Sequence, residues 1–151
     1  YGKIEARIRI AAGSGVVSSL LLAGPAPSDE LDWEWVGKDM WTAQSMYFVK
    51  GQRVDPNAQY FHTPGDVAQD MAAGFHNYAI EVNPGNIKWY IDNWTTRTLL
   101  KMDGVPFPSD AGQARMGIWD GTQTSGWAGT VDWSKAPFIT EVEWFKFTPY
   151  C

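Results

Sequence analysis

The residues of this chain best placed to do chemistry are the three acids of Glu30-Leu31-Asp32-Trp33-Glu34-Trp35. Side chains alternate faces along an extended strand, so Glu30, Asp32 and Glu34 share one face while Leu31, Trp33 and Trp35 are free to bury on the other. Neighbouring like charges repel, and the row holds no interleaved Lys, Ser or Thr to relieve them. The plain alternative is an acidic wet face on an exposed strand. Four strand steps of about 3.3 Å separate the Glu30 and Glu34 Cα atoms by roughly 13 Å. With each side chain leaning inward by about 3.5 to 4 Å, the carboxyl groups end roughly 5 to 6 Å apart, near the spacing of a retaining glycosidase pair. One glutamate then attacks an acetal carbon to give a covalent intermediate, and the other protonates the leaving oxygen and later acts as base. Asp32 between them raises the proton affinity of a neighbouring carboxyl and, by sharing a proton, holds the attacking group in place.

The rest of the composition narrows the partner. The chain has 151 residues, enough for one domain with a real core and too few for two ordinary ones. A formal net charge of -5 with 19% charged residues lacks the basic footprint of a nucleic-acid binder, so the expected ligand is neutral or cationic. Aromatic residues reach 15%, with nine Trp, and flat apolar rings stack on sugar faces as readily as they fill cores. Cys151 is the single cysteine, so no internal disulfide forms. His62 and His76 stand apart, without CxxC or HExxH spacing, and read as structural or surface histidines; no metal or cofactor is expected. No apolar run reaches the roughly 18–20 residues of a membrane span. The chain opens without Met inside an apparent strand, which reads as a mature or trimmed product. The pattern does not set an oligomeric state.

The elements that must position the acids read as short strands. Tyr1 to Ile10 alternates polar and apolar residues, Val16 to Leu22 is a buried apolar run, and Gly24-Pro25-Ala26-Pro27-Ser28 breaks the chain before the acidic strand. Gly37 ends that strand. Trp41 to Val49 is its partner, with Gln44, Met46 and Phe48 on one face. Residues 50–74 read as a long loop. Phe75 to Val82, Ile87 to Asn93, Thr95 to Met102, Arg115 to Trp119 and Phe138 to Thr148 are further strands, with turns at Asn83-Pro84-Gly85-Asn86 and Asp92-Asn93. Trp127 and Trp133 fall in a loop between Asp120 and Pro137. The fold class is therefore all-β, an antiparallel jelly roll or concanavalin-like sandwich.

Glu30-x-Asp32-x-Glu34 on such a strand resembles the signature of glycoside hydrolase family 16. Tyr1-Gly2-Lys3-Ile4-Glu5-Ala6-Arg7-Ile8 and Gly15-Val16-Val17-Ser18-Ser19 before it resemble the flanking strands, as do Phe75-His76-Asn77-Tyr78, Ile87-Lys88-Trp89-Tyr90-Ile91-Asp92 and Asp132-Trp133-Ser134-Lys135-Ala136-Pro137-Phe138 after it. Ser28 to Gly37 followed by Tyr47-Phe48-Val49-Lys50-Gly51 is most similar to the fungal Crh-type transglycosylases, which join chitin to β-glucan. The resemblance makes residues 1–151 a single catalytic domain, incomplete at its N-terminus because relatives carry further strands ahead of Tyr1. It implies Glu30 as nucleophile, Asp32 as helper and Glu34 as acid/base. It further implies substrate contacts from Gln44, Arg115, Trp119, Thr124 and Trp127, with Thr130 before Trp133 as the alternative threonine and core packing as the alternative role of Trp119. Met46 departs from the polar residue usual two positions after Gln44, which predicts different glycone subsites.

Two other activities remain open from the sequence: an endo-β-1,3(4)-glucanase, and a jelly roll that binds carbohydrate without catalysis. The retaining transglycosylase leads because all three carboxylates are present. Its partner is a polysaccharide or oligosaccharide, with neither nucleic acid nor a membrane span involved, and its address is secreted, extracellular or cell wall. Asn93-Trp94-Thr95 is a glycosylation sequon.

Overall fold

The computed structural model describes residues 1–54, 60–65 and 68–151. Their strands are β1 (Gly2–Arg9), β2 (Val16–Ala23), β3 (Glu30–Val36), β4 (Ala43–Phe48), β5 (Tyr60–His62), β6 (His76–Asn83), β7 (Asn86–Ile91), β8 (Trp94–Leu100), β9 (Gln113–Asp120) and β10 (Glu141–Pro149). One 3₁₀ turn, Trp133–Lys135, interrupts the loop before β10. The strands form two antiparallel sheets, ordered β10-β1-β6-β7-β8 and β5-β4-β3-β2-β9. This is the all-β sandwich that the alternation predicts.

The acidic strand β3 is the middle strand of the second sheet, hydrogen-bonded on both sides along its length. Gly37 terminates it by necessity of space, since a Cβ there would lie 2.6 Å from the Gly13 carbonyl oxygen. Leu31, Trp33 and Trp35 turn toward the other sheet and are fully buried among Tyr78, Ile80, Ile87, Trp89 and Ile91. Burying each large side chain contributes about 2 to 3 kcal/mol, so the inward half of the motif holds the outward half in place. Two indoles also bond the sheets together directly. The Trp33 Nε1 donates to the Ala79 carbonyl at 3.0 Å, and the Trp89 Nε1 donates to the Asp32 carbonyl at 3.1 Å. These two buried indole N–H groups thus find acceptors in the backbone, whereas that of Trp35 has none among the described residues.

Two sequence expectations need correction here. The long loop over 50–74 contains a strand, β5, which pairs with β4. Three residues are too short to show alternation, and His62 is held by a tertiary partner, its Nε2 lying 2.8 Å from the Ser45 Oγ. Residues 55–59 and 66–67 of that stretch lie outside the described residues. The Asp120–Pro137 segment, read as a plain loop, contains the 3₁₀ turn, capped by the Asp132 side chain, which accepts from the Ser134 backbone N–H.

β9 and β10 end their sheets at the same end of the sandwich. Their inward positions carry Met116 and Ile118 on β9 and Val142, Phe145 and Phe147 on β10, all substantially exposed. A cleft of about 170 Å³ separates the two strands, bounded by Ile8, Met116, Ile118, Thr140 and Val142.

Candidate active site

Register places a defined neighbour on each side of every acid. Glu30 lies between Ala23 and Phe48, Asp32 between Leu21 and Met46, and Glu34 between Ser19 and Gln44. Side chains directly opposite across a sheet have Cβ atoms about 4.5 to 5.5 Å apart, so these pairs are the local environment of each carboxyl. Asp32 is the most enclosed, 2% exposed, with one carboxyl oxygen lacking any hydrogen-bond partner. Glu30 and Glu34 are half-buried on the same outward face.

These surroundings separate the acids electrostatically. Burial raises the Asp32 carboxyl well above the ordinary aspartate range, and the charges of Glu30 and then Glu34 raise it further; a hydrogen bond with Glu30 favours its protonated form as well. Burial also pushes Glu34 up to about 7, with the Glu30 charge as the second cause. The row therefore favours the protonated form of Asp32, which can donate to Glu30, and holds a Glu34 poised near neutral pH to give or take a proton. Met46 gains a physical meaning from its register: an apolar side chain opposite Asp32 withholds the solvation a polar residue would supply.

The other expected site residues fall around this row in different ways. Gln44 is buried opposite Glu34, and its Oε1 accepts a 2.9 Å hydrogen bond from the Trp127 Nε1. Trp127 stacks on Trp119 with ring centroids 6.0 Å apart. Trp119 is 38% exposed, so it is not packed in the core. Gln44, Trp127 and Trp119 thus form an arch from β4 to β9 at the Glu34 end of β3. Arg115 lies level with the middle of the row, its register partner Leu21 beside Asp32, with its guanidinium on the Gln113 Oε1 at 2.8 Å. It lines a depression of about 440 Å³ together with Ala23, Gly24, Pro25, Asp110 and Gln113. The Thr124 hydroxyl is engaged within its own loop, donating to the Gly121 carbonyl and accepting from the Ala128 backbone N–H. Thr130 is exposed. An apolar cavity of about 230 Å³ behind Trp119, bounded by Val16, Ile118, Val131, Trp133 and Phe138, contains none of the three acids.

The histidines sit away from the row. Burial, followed by the Arg97 charge, pushes His62 down to about 4. The His76 Nδ1 lies 2.7 Å from the Asp92 Oδ2. Among the described residues no cluster of His, Cys, Asp or Glu is suited to a metal ion. Sequence reasoning missed Asp29, which is buried beside Glu30 and whose partners lie 21, 80 and 81 residues away. No local pattern announces such partners.

A two-sheet β sandwich that carries Glu-x-Asp-x-Glu outward from the middle of one sheet defines a carbohydrate-active enzyme class. The family description "Glycosyl hydrolases family 16" matches residues 1–135, and the chain belongs to that family. A Crh-like protein of Arthroderma benhamiae is 36% identical over 97% of this chain and 41% of its own length. A β-glucanase of Paenibacillus macerans is 33% identical over 98% of this chain and 60% of its own length. Among solved structures, the Crh5 transglycosylase in complex with NAG superposes with a TM-score of 0.88 at 32% identity, over 98% of this chain and 64% of that one. The Bacillus licheniformis β-glucanase superposes with a TM-score of 0.84 at 27% identity, over 99% and 67% respectively. The chain therefore spans about two fifths of the length of its fungal relative and about two thirds of these solved chains.

Proposed function

We propose that residues 1–151 form one catalytic unit of a retaining enzyme that cleaves β-linked cell-wall polysaccharide, chitin or β-glucan, and passes the glycosyl unit to a second sugar. Glu30 attacks the anomeric carbon, forming a bond to it as the bond to the leaving oxygen breaks. Glu34 delivers its proton to that oxygen. In the second step Glu34 takes the proton of the incoming hydroxyl, whose oxygen displaces Glu30 from the sugar. Asp32, whose protonated form burial favours, donates to Glu30 and limits its motion between the two steps. The observation that carries this reading is a carboxyl raised to about 7 on the same strand face as a second glutamate. The Trp119–Trp127 arch offers apolar ring surface beside Glu34, where a sugar acceptor is oriented in preference to water. The resemblance to Crh-type proteins supports transfer and an extracellular or cell-wall address.

Incubation with mixed chito-oligosaccharides and laminarin oligosaccharides, with products analysed by mass, tests the proposal. Hybrid oligomers are expected. Shorter oligomers alone favour the second reading, an endo-β-1,3(4)-glucanase, which the similarity to bacterial β-glucanases supports. Binding with unchanged substrate would leave a non-catalytic carbohydrate-binding jelly roll.

A further inference from the structure

Glu30 occupies a precarious place in the sheet. It is the terminal residue of β3, forming the last register pair with β2, Ala23↔Glu30, and the last with β4, Glu30↔Phe48. Strand ends fray, whereas an attacking carboxylate displaced by about 1 Å can lose on the order of 100-fold in rate. Something beyond the ladder must hold this end still.

The residue next to it does so. Asp29 is 6% exposed, and its carboxylate accepts three backbone hydrogen bonds. The Lys50 N–H donates to Oδ1 at 2.8 Å, and the Ser109 and Asp110 N–H groups donate to Oδ2 at 2.8 and 3.0 Å. Backbone bonds reinforce the junction: the Gly24 N–H donates to the Asp29 carbonyl at 2.8 Å, and the Gly51 N–H donates to the Ser28 carbonyl at 2.6 Å. Gly24 is required there, since a Cβ on it would lie 1.8 Å from the Asp110 carbonyl oxygen. One side chain thus joins the start of β3, the turn after β4 and the loop that leads into β9. On β9, Gln113 and Arg115 line the depression that also includes Ala23, the register partner of Glu30. Hydrogen bonds to an ionised carboxylate are roughly twice as strong as neutral ones, which suits a fixed junction.

We propose that Asp29 is a positioning residue for the reaction: it anchors the first residue of the acidic strand and sets the distance between Glu30 and the Arg115 wall. The inference rests on the reading of Glu30 as nucleophile. Asp29 does not touch the reacting atoms, so its loss acts on the rate of attack more than on the binding of sugar.

The test uses the natural full-length chain that contains these residues and an aryl β-oligosaccharide donor with an activated leaving group. Asp29→Asn is compared with wild type and with Asp92→Asn. The second variant alters another carboxylate that accepts a backbone N–H, in the β7–β8 turn of the opposite sheet and away from the acids. Asp29→Asn is expected to turn over substrate about 10- to 100-fold more slowly than wild type, with KM changed by less than about twofold. Asp92→Asn is expected to keep the wild-type turnover rate at a comparable melting temperature. Equal turnover in Asp29→Asn and wild type, or equal losses in the two variants, overturns the proposal. Should Asp29→Asn fail to fold, amide hydrogen exchange in the wild type decides: Lys50, Ser109 and Asp110 are expected to be slow to exchange, and free exchange at these three overturns it. Absence of turnover in the wild type instead refutes the nucleophile reading itself, separately from the exchange result.

Discussion

Raising the pH should switch off the proposed acid role of Glu34 and destabilise the fold together. Its carboxyl lies at about 7, against 4.5 in an unfolded chain. The protonated fraction falls from roughly nine tenths at pH 6 to roughly one tenth at pH 8, so turnover of a donor with a poor leaving group should fall about tenfold across that interval. The stability contribution has the same direction. It is complete below about pH 4.5, where both states are protonated. It declines as pH rises towards about 7, because the unfolded chain releases the proton first. The shift is equivalent to at most about 3 kcal/mol by pH 8. Glu34→Gln should therefore abolish turnover of poor leaving groups, spare part of the activity on activated ones, and unfold at higher urea concentration than wild type at pH 8 but not at pH 4. Initial rates with two leaving groups from pH 5 to 9, together with urea melts at the two pH values, measure both effects. An alkaline limb near pH 7 that survives in Glu34→Gln, or equal losses with both leaving groups, refutes the reasoning.

Other outcomes follow from the same row. Glu30→Gln should abolish turnover and retain oligosaccharide binding by calorimetry; it should also lower the Glu34 carboxyl only part of the way, because burial and not the Glu30 charge is the larger cause. Met46→Asn should bring the Asp32 carboxyl down by restoring a polar neighbour, read by carbon NMR of labelled aspartate across a pH titration. Trp89→Phe removes the hydrogen bond to the Asp32 carbonyl and leaves a void between the sheets. A loss of about 2 to 4 kcal/mol in urea unfolding is expected, from the lost inter-sheet hydrogen bond plus the cavity.

Much of the fold was legible because local spacing decides it. Alternation in Gly2–Arg9 and in the acidic strand follows from a side-chain period of two, and a one-residue slip would expose Trp33 and bury Glu34. The Asp92-Asn93 turn was legible as well, since both residues adopt positive φ, 49° and 71°, as a tight hairpin between twisted strands requires. β5 was not legible: three residues hold no period, and its placement depends on pairing with β4 across an intervening loop.

The sequence by itself determined that Glu30, Asp32 and Glu34 face one way and Leu31, Trp33 and Trp35 the other, because the pleat leaves no other arrangement. Their different chemical states were decided only by tertiary structure. Leu21 and Met46 enclose Asp32, Gln44 and Ser19 flank Glu34, and Asp29 gathers amides from two distant loops, all through strand pairings that bring together residues far apart in the chain. A carboxyl's affinity for its proton depends on how much water and which charges surround it, and those neighbours are set by register between strands, not by order along one.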